Sequence, residues 1–216
     1  MTSCKSALMI ALPGALALLM GGCTRAGEIT VGGITAVRSA CPVVGVPAAT
    51  GDVTLFSPET SNDESAIDVA ALITNVRSTC ADIGEDVVTS ITFDVRARRT
   101  VAAEARDVVL PYFITVVQGG SAVVAKSVSR VNVHFDAGQL RASVSGQGQA
   151  SVARSAATLP DSVRKTLLRP RKAGEEDAAV DPLSRRDIRD AVQRASFEAL
   201  VGFQLTDAQL KYNATR

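Results

Sequence analysis

The sequence predicts a mainly β protein, an antiparallel β-sandwich with a C-terminal α-helix. Three observations carry that expectation. Long Val- and Thr-rich stretches alternate apolar with polar residues. Glycine-containing turns separate these stretches at hairpin spacing. A helical period stands out only after residue 183, and no strand–helix–strand rhythm precedes it.

Taken in order, Val53 to Phe56 reads as a short strand ended by Ser57-Pro58, and Ser61 to Ser65 as a loop. Two periods compete from Ile67 to Cys80. Ser61-Asn62-Asp63-Glu64 fits a capping box for a helix with Ile67, Ala70, Ala71 and Thr74 on one face. Ile67, Val69, Ala71 and Ile73 also alternate, and β-branched residues crowd the second half of the segment, which selects a strand. Thr89, Ile91, Phe93, Val95 and Ala97 alternate with Ser90, Thr92, Asp94, Arg96 and Arg98, the pattern of a strand with one wet face. Val108 to Val117 is apolar on both faces, and Pro111 within it points to a bulge or an open edge.

Gly119-Gly120 supplies the positive φ angles of a hairpin turn. The return strand places Val123, Ala125, Val131, Val133 and Phe135 on one face, with Lys126, Arg130, Asn132 and His134 on the other. Asp136-Ala137-Gly138 is a second hairpin turn, leading to Leu140, Ala142 and Val144 opposite Arg141, Ser143 and Ser145. Gly146-Gln147-Gly148-Gln149 comes next, as turn or bulge glycines. It does not open a helix, so it is no phosphate loop. Residues 153–183 are rich in charge and Pro and read as irregular. Ser184, with Asp187 behind it, caps a helix running to about Val201, its stripe being Ile188, Ala191, Val192, Ala195 and Leu200. Gly202 ends it, and Thr206 opens a final helical turn. The strand spacing resembles immunoglobulin- and fibronectin-type modules, without their Cys-Trp-Cys signature.

The N-terminus is of another kind. From Ala7 to Met20 every residue is apolar, Pro or Gly, behind the single charge of Lys5. Fourteen helical residues reach roughly 21 Å, short of the ~30 Å hydrocarbon layer but suited to a secretory signal. Leu19-Met20-Gly21-Gly22-Cys23 closes the run and resembles the lipobox of bacterial lipoprotein precursors. That resemblance, confined to residues 1–23, implies cleavage between Gly22 and Cys23 and lipidation of the Cys23 thiol. It further implies a cell-envelope protein facing the periplasm; Thr24, rather than Asp, implies the outer membrane. The rest of the chain is similar to small envelope lipoproteins of alphaproteobacteria, a likeness that brings no activity with it.

The expected organisation is a 1–22 signal peptide, a 23–40 tether, a 41–152 β-domain, a 153–183 irregular segment and a 184–216 helical segment. In an oxidising periplasm Cys41 and Cys80, the two cysteines that remain unlipidated, pair most economically with each other. Two cysteines and the distant His134 have no zinc-like spacing, so no metal or other cofactor is expected.

Without residues 1–22 the chain carries 22 basic and 22 acidic side chains, against 23 and 22 in the whole, a balance that argues against nucleic acid as a partner. With no Trp and only two Tyr and six Phe, an aromatic sugar-binding platform is not expected. The lone His134 sits on a polar strand face with no Gly-x-Ser-x-Gly nucleophile elbow in the chain, so it reads as a solvated histidine and the protein as a non-enzyme. The basic run Arg164 to Lys172 leads directly into Glu175-Glu176-Asp177, and the two screen each other. What remains is a lipid-anchored module that binds or helps assemble other envelope proteins. The alternative is a small-molecule or lipid-binding module with its ligand between sheet and helix.

Overall fold

The structure is a computed structural model, and it describes residues 39–170, 174 and 179–215, with the backbone at 29–30 and 33–34. The expected Gly22–Cys23 cleavage and lipidation site, the expected targeting segment and most of the expected tether lie outside the described residues. The chain divides into two units, Met1–Ala36 and Val37–Arg216. The described part of the first is one antiparallel pairing of β1 (Ile29–Thr30) with β2 (Gly33–Ile34).

The second unit is mainly β. Its strands are β3 (Val43–Gly45), β4 (Asp52–Phe56), β5 (Ile67–Ile83), β6 (Asp86–Arg99), β7 (Arg106–Gln118), β8 (Ala122–Phe135), β9 (Arg141–Ala153) and β10 (Phe197–Phe203). One sheet, in the order β4-β5-β6-β9, is antiparallel throughout. The other, β3-β10-β7-β8, contains one parallel pair, β3 beside β10. The inward faces of both sheets feed a single hydrophobic core.

Strand β6 shows how the pattern becomes structure. Ile91, Phe93, Val95 and Ala97 are buried, while Thr92, Arg96 and Arg98 are exposed. Phe93 meets Tyr112 of the opposite sheet edge-on, ring centroids 5.0 Å apart. The Tyr112 hydroxyl donates to the Gln147 carbonyl at 2.6 Å, so its polar end is satisfied inside the core. Such a full aromatic burial contributes about 2–3 kcal/mol.

The contested 67–80 segment is a strand, as its alternation indicated. Asn75 lies in the left-handed region, φ +53°, and with Val76 makes the extra residue of a bulge opposite Phe93. The Ser61–Glu64 box leads only into a short 3-10 turn, Glu64–Ala66. Pro111 sits within β7 where β10 has just ended. Its carbonyl accepts from Gln204 N–H at 2.9 Å, so the missing proline donor faces a strand end and no ladder bond is lost. Gly119 and Gly120 (φ +64° and +79°) and Gly138 (φ +75°) make the two expected hairpin turns.

Four readings are corrected. Phe197–Phe203 is strand, not helix: the helix from 184 stops at Arg194, giving α3 (Arg186–Arg194). Phe197, Ala199, Val201 and Phe203 alternate inward against β7, and Leu200 belongs to the outer face rather than to a helical stripe. The stop is local chemistry: Ser196 Oγ donates to the Val192 carbonyl at 2.7 Å and Gln118 Nε2 to the Arg194 carbonyl at 2.7 Å, filling last-turn acceptors. Ser184 is no cap; it ends a 3-10 turn, Pro182–Ser184, capped by Asp181.

Second, the 153–183 segment is not all irregular. It forms α1 (Arg154–Ala157) and α2 (Asp161–Leu168), and Val163 of α2 shares a small cluster with Ile188 and Ala191. Third, Gly146 and Gly148 are interior to β9. A Cβ at Gly146 would collide with the Phe93 ring, and one at Gly148 with Ile114 Cδ1. Fourth, Val123 and Ala125 of β8 are exposed, as is every residue from Ala122 to Arg130, and a register shift between Val116 and Val117 leaves Val124 unmatched. The last element, α4 (Asp207–Thr215), opens with a reciprocal capping box. Thr206 Oγ1 accepts from Gln209 N–H at 3.3 Å, and Gln209 Oε1 accepts from Thr206 N–H at 2.9 Å. It docks beside β4 through Tyr212 on Phe56 and through Asn213, whose amide donates to the Ala49 and Asp52 carbonyls.

Candidate functional site

The two cysteines expected to pair are joined. Cys41, two residues before β3, bonds to Cys80 of β5 across 39 residues of chain, with Cα atoms 6.0 Å apart. The bond ties the edge of one sheet to the other sheet, beyond the reach of β4. Closing a loop of that length stabilises by about 4 kcal/mol in the chain-entropy account.

His134 has a more definite setting than its strand pattern indicated. Register places it directly opposite Asp107, and its Nδ1 lies 2.9 Å from Asp107 Oδ1. Its Nε2 lies 3.4 Å from Asp136 Oδ1. Asn132 Nδ2 donates to the same Asp107 oxygen at 3.2 Å. The Asp107 hydrogen bond and charge hold the imidazole pKa above its ordinary value, and the same contact holds Asp107 below its own. Among the described residues the imidazole's partners are the two carboxylates of Asp107 and Asp136, so the arrangement is a cross-strand histidine–carboxylate pair. Lys126 and Arg130, which the strand pattern set beside His134, do not contact it; Lys126 lies over the Phe113 ring at 5.0 Å.

Arg99 is the interior charge. It is 3% exposed, and its guanidinium donates to the carbonyls of Gln139, Glu104, Ala103 and Asp136 at 2.6–3.0 Å while lying 5.3 Å from the Phe135 ring centroid. No carboxylate is involved. Arg99 thus holds the 100–105 loop and the β8–β9 turn by charge-assisted bonds. The sequence carried a signal for this: Arg99 is in phase with Phe93, Val95 and Ala97, so strict alternation puts it inside.

The surface feature best suited to a partner is the first half of β8. The strand is the edge of its sheet, and every residue from Ala122 to Arg130 is exposed. The stretch contains Val123 (63% exposed), Val124 and Val128, with Lys126 and Arg130 and no carboxylate. Edge strands offer unpaired backbone donors and acceptors, and monomeric proteins ordinarily blunt them with charge or a bulge. Here both devices are present, at Lys126 and at Val124, yet three valines remain in water.

Among the described residues no group of three or more His, Cys, Asp and Glu side chains is placed to hold a metal ion, and no helix is long and apolar enough to cross a membrane. Comparison with protein-family models, with curated proteins and with solved structures finds no match to this chain.

Proposed function

We propose that the protein is an envelope lipoprotein, anchored through Cys23 and facing the periplasm, that works without catalysis as an interaction module. The observation that carries the reading is the exposed β8 edge. Its occupant is an acidic, apolar strand of another envelope protein, added beside Ala122–Arg130 by main-chain pairing, with its carboxylates met by Lys126 and Arg130. The disulfide supports an oxidising compartment, since such bonds persist there and are rare in reducing ones. Two packed sheets and a bond between them also support an immunoglobulin-like assignment of the module.

A photo-crosslinking residue placed at Ser127 in intact cells tests the edge. A defined envelope protein is expected from Ser127 and not from the same label at Thr166 on α2, and Lys126→Glu should abolish the product. Equal labelling from both positions would remove the proposal. Separately, labelled palmitate is expected to enter the protein, and Cys23→Ser to prevent it.

A further inference from the structure

The outer face of the β4-β5-β6-β9 sheet carries a second feature, chemically distinct from the β8 edge. Register aligns two rows of side chains across it. One row runs Asp52, Leu72, Arg96 and Ser143; the next runs Thr54, Ala70, Arg98 and Arg141. Arg98 and Arg141 are direct cross-strand partners, an arrangement of like charges that destabilises a sheet unless something answers it. Arg96 is one row away on the same face. All three are exposed, and among the described residues none has an ion-pair partner. Of the nearby carboxylates, Asp68 pairs with Arg106 at 2.9 Å, and Asp94 accepts from Asn75 and Ser145; Asp94 feels the charge of Arg96 but forms no ion pair with Arg96, Arg98 or Arg141.

These arginines rim a depression of about 690 Å³ whose floor is apolar, because Ala70 is too small to fill the space between Thr54 and Arg98. Asp52 stands on its far side. A second depression of about 440 Å³ shares Arg98 and Arg141 and is closed by the Gly138–Leu140 turn. That turn is the one Arg99 holds from inside, so the wall of the second depression is rigidly placed. Exposed leucines flank the arginine pair on both sides, Leu72 (49%) and Leu140 (40%). Guanidinium groups bind phosphate oxygens bidentately, and a leucine on either side suits the glycerol and upper acyl carbons attached to such a phosphate.

The geometry points to a binding site for the phosphate of an anionic phospholipid, held by Arg98 and Arg141 with Arg96 beside them and with Leu72 and Leu140 against the apolar part. The site lies on the outer surface of the sheet. The cavity between sheet and helix, where the sequence alternative would set a ligand, plays no part in it. It stands independently of the β8 edge.

The test uses the full chain in a non-ionic detergent, titrated with dihexanoylphosphatidylglycerol and monitored by amide chemical shifts. Saturable binding is expected, with the largest shifts at residues 70–72, 96–98 and 140–141. Arg98→Gln with Arg141→Gln should weaken it at least tenfold with circular dichroism unchanged. Arg98→Lys with Arg141→Lys should retain part of it, and Arg194→Gln all of it. Inorganic phosphate should bind at least tenfold more weakly than the lipid. Equal binding of inorganic phosphate would overturn the lipid assignment. Unaltered lipid binding by the double Gln variant, or no saturable binding by the wild type, would overturn the site itself.

Discussion

Strands β8 and β9 invite comparison, because both are sheet edges, both come after glycine turns and the two are joined by the 136–140 turn. They resolve the edge problem differently. From Ser143 to Ser151 the outward positions of β9, Ser143, Ser145, Gln147, Gln149 and Ser151, are all polar, and its inward Gly146 and Gly148 let it settle against Phe93 and Ile114. The first half of β8 has the reverse character, with valines in water and Ser127 and Ser129 turned toward the core side. An edge packed down through glycines is structural. An edge that keeps apolar side chains exposed is the one proposed to take a partner strand.

The comparison breaks most severely at the shared turn. Arg99→Leu removes four carbonyl acceptors' common donor and should destabilise by about 3 kcal/mol or more, read as a lowered denaturant midpoint. Gly146→Ala should come next, at about 1–3 kcal/mol, because the new methyl group must displace the Phe93 ring from a packed core. On β8 the outcome should be opposite in kind. Val123→Ser with Val128→Ser should leave stability within about 0.5 kcal/mol, while the Ser127 crosslink is lost. A large loss of stability there would mean that the valines are structural after all.

The smallest effect belongs to the ion pair at the end of β8. The raised His134 pKa means its contribution is fully present below about pH 6.5, the ordinary imidazole value, and fades as pH rises through the higher folded value. The lowered Asp107 pKa means its contribution is present above the ordinary carboxylate range and is lost as pH falls through the folded value. The pair is therefore strongest between the two. An imidazole NMR titration should place His134 above its ordinary pKa, and Asp107→Asn should bring it back toward that value. An unmoved titration would show that the pair does not form in solution.

How much of this was legible in the sequence depends on the range of the interactions involved. Strand β6, the Gly119-Gly120 and Gly138 turns and the Cys41–Cys80 pairing arise from local alternation, backbone freedom and the count of thiols. The C-terminal strand did not, because Ile188, Ala191, Val192 and Ala195 set a helical period that Leu200 happens to continue. Only the slot between β3 and β7 makes Phe197–Phe203 extended, and that slot is built by β7, about eighty to ninety positions earlier, and β3, about 155 positions earlier. His134 was visible, but its partner Asp107 was not, since pairing them requires the β7–β8 register. The same holds for Arg98 and Arg141, ordinary wet-face residues until register sets them side by side.

The sequence by itself determined the β character of the chain, the turns, the disulfide and the inward phase of β6 and of the second half of β8. All of these depend on neighbours a few residues away or on the bare alternation of apolar side chains. The tertiary structure decided which edges are closed, that β10 completes a sheet, that β9 needs glycines facing inward, and where charges gather on the outer faces. Those outcomes depend on which strands lie side by side and in what register, and long-range pairing leaves no periodic mark on the chain.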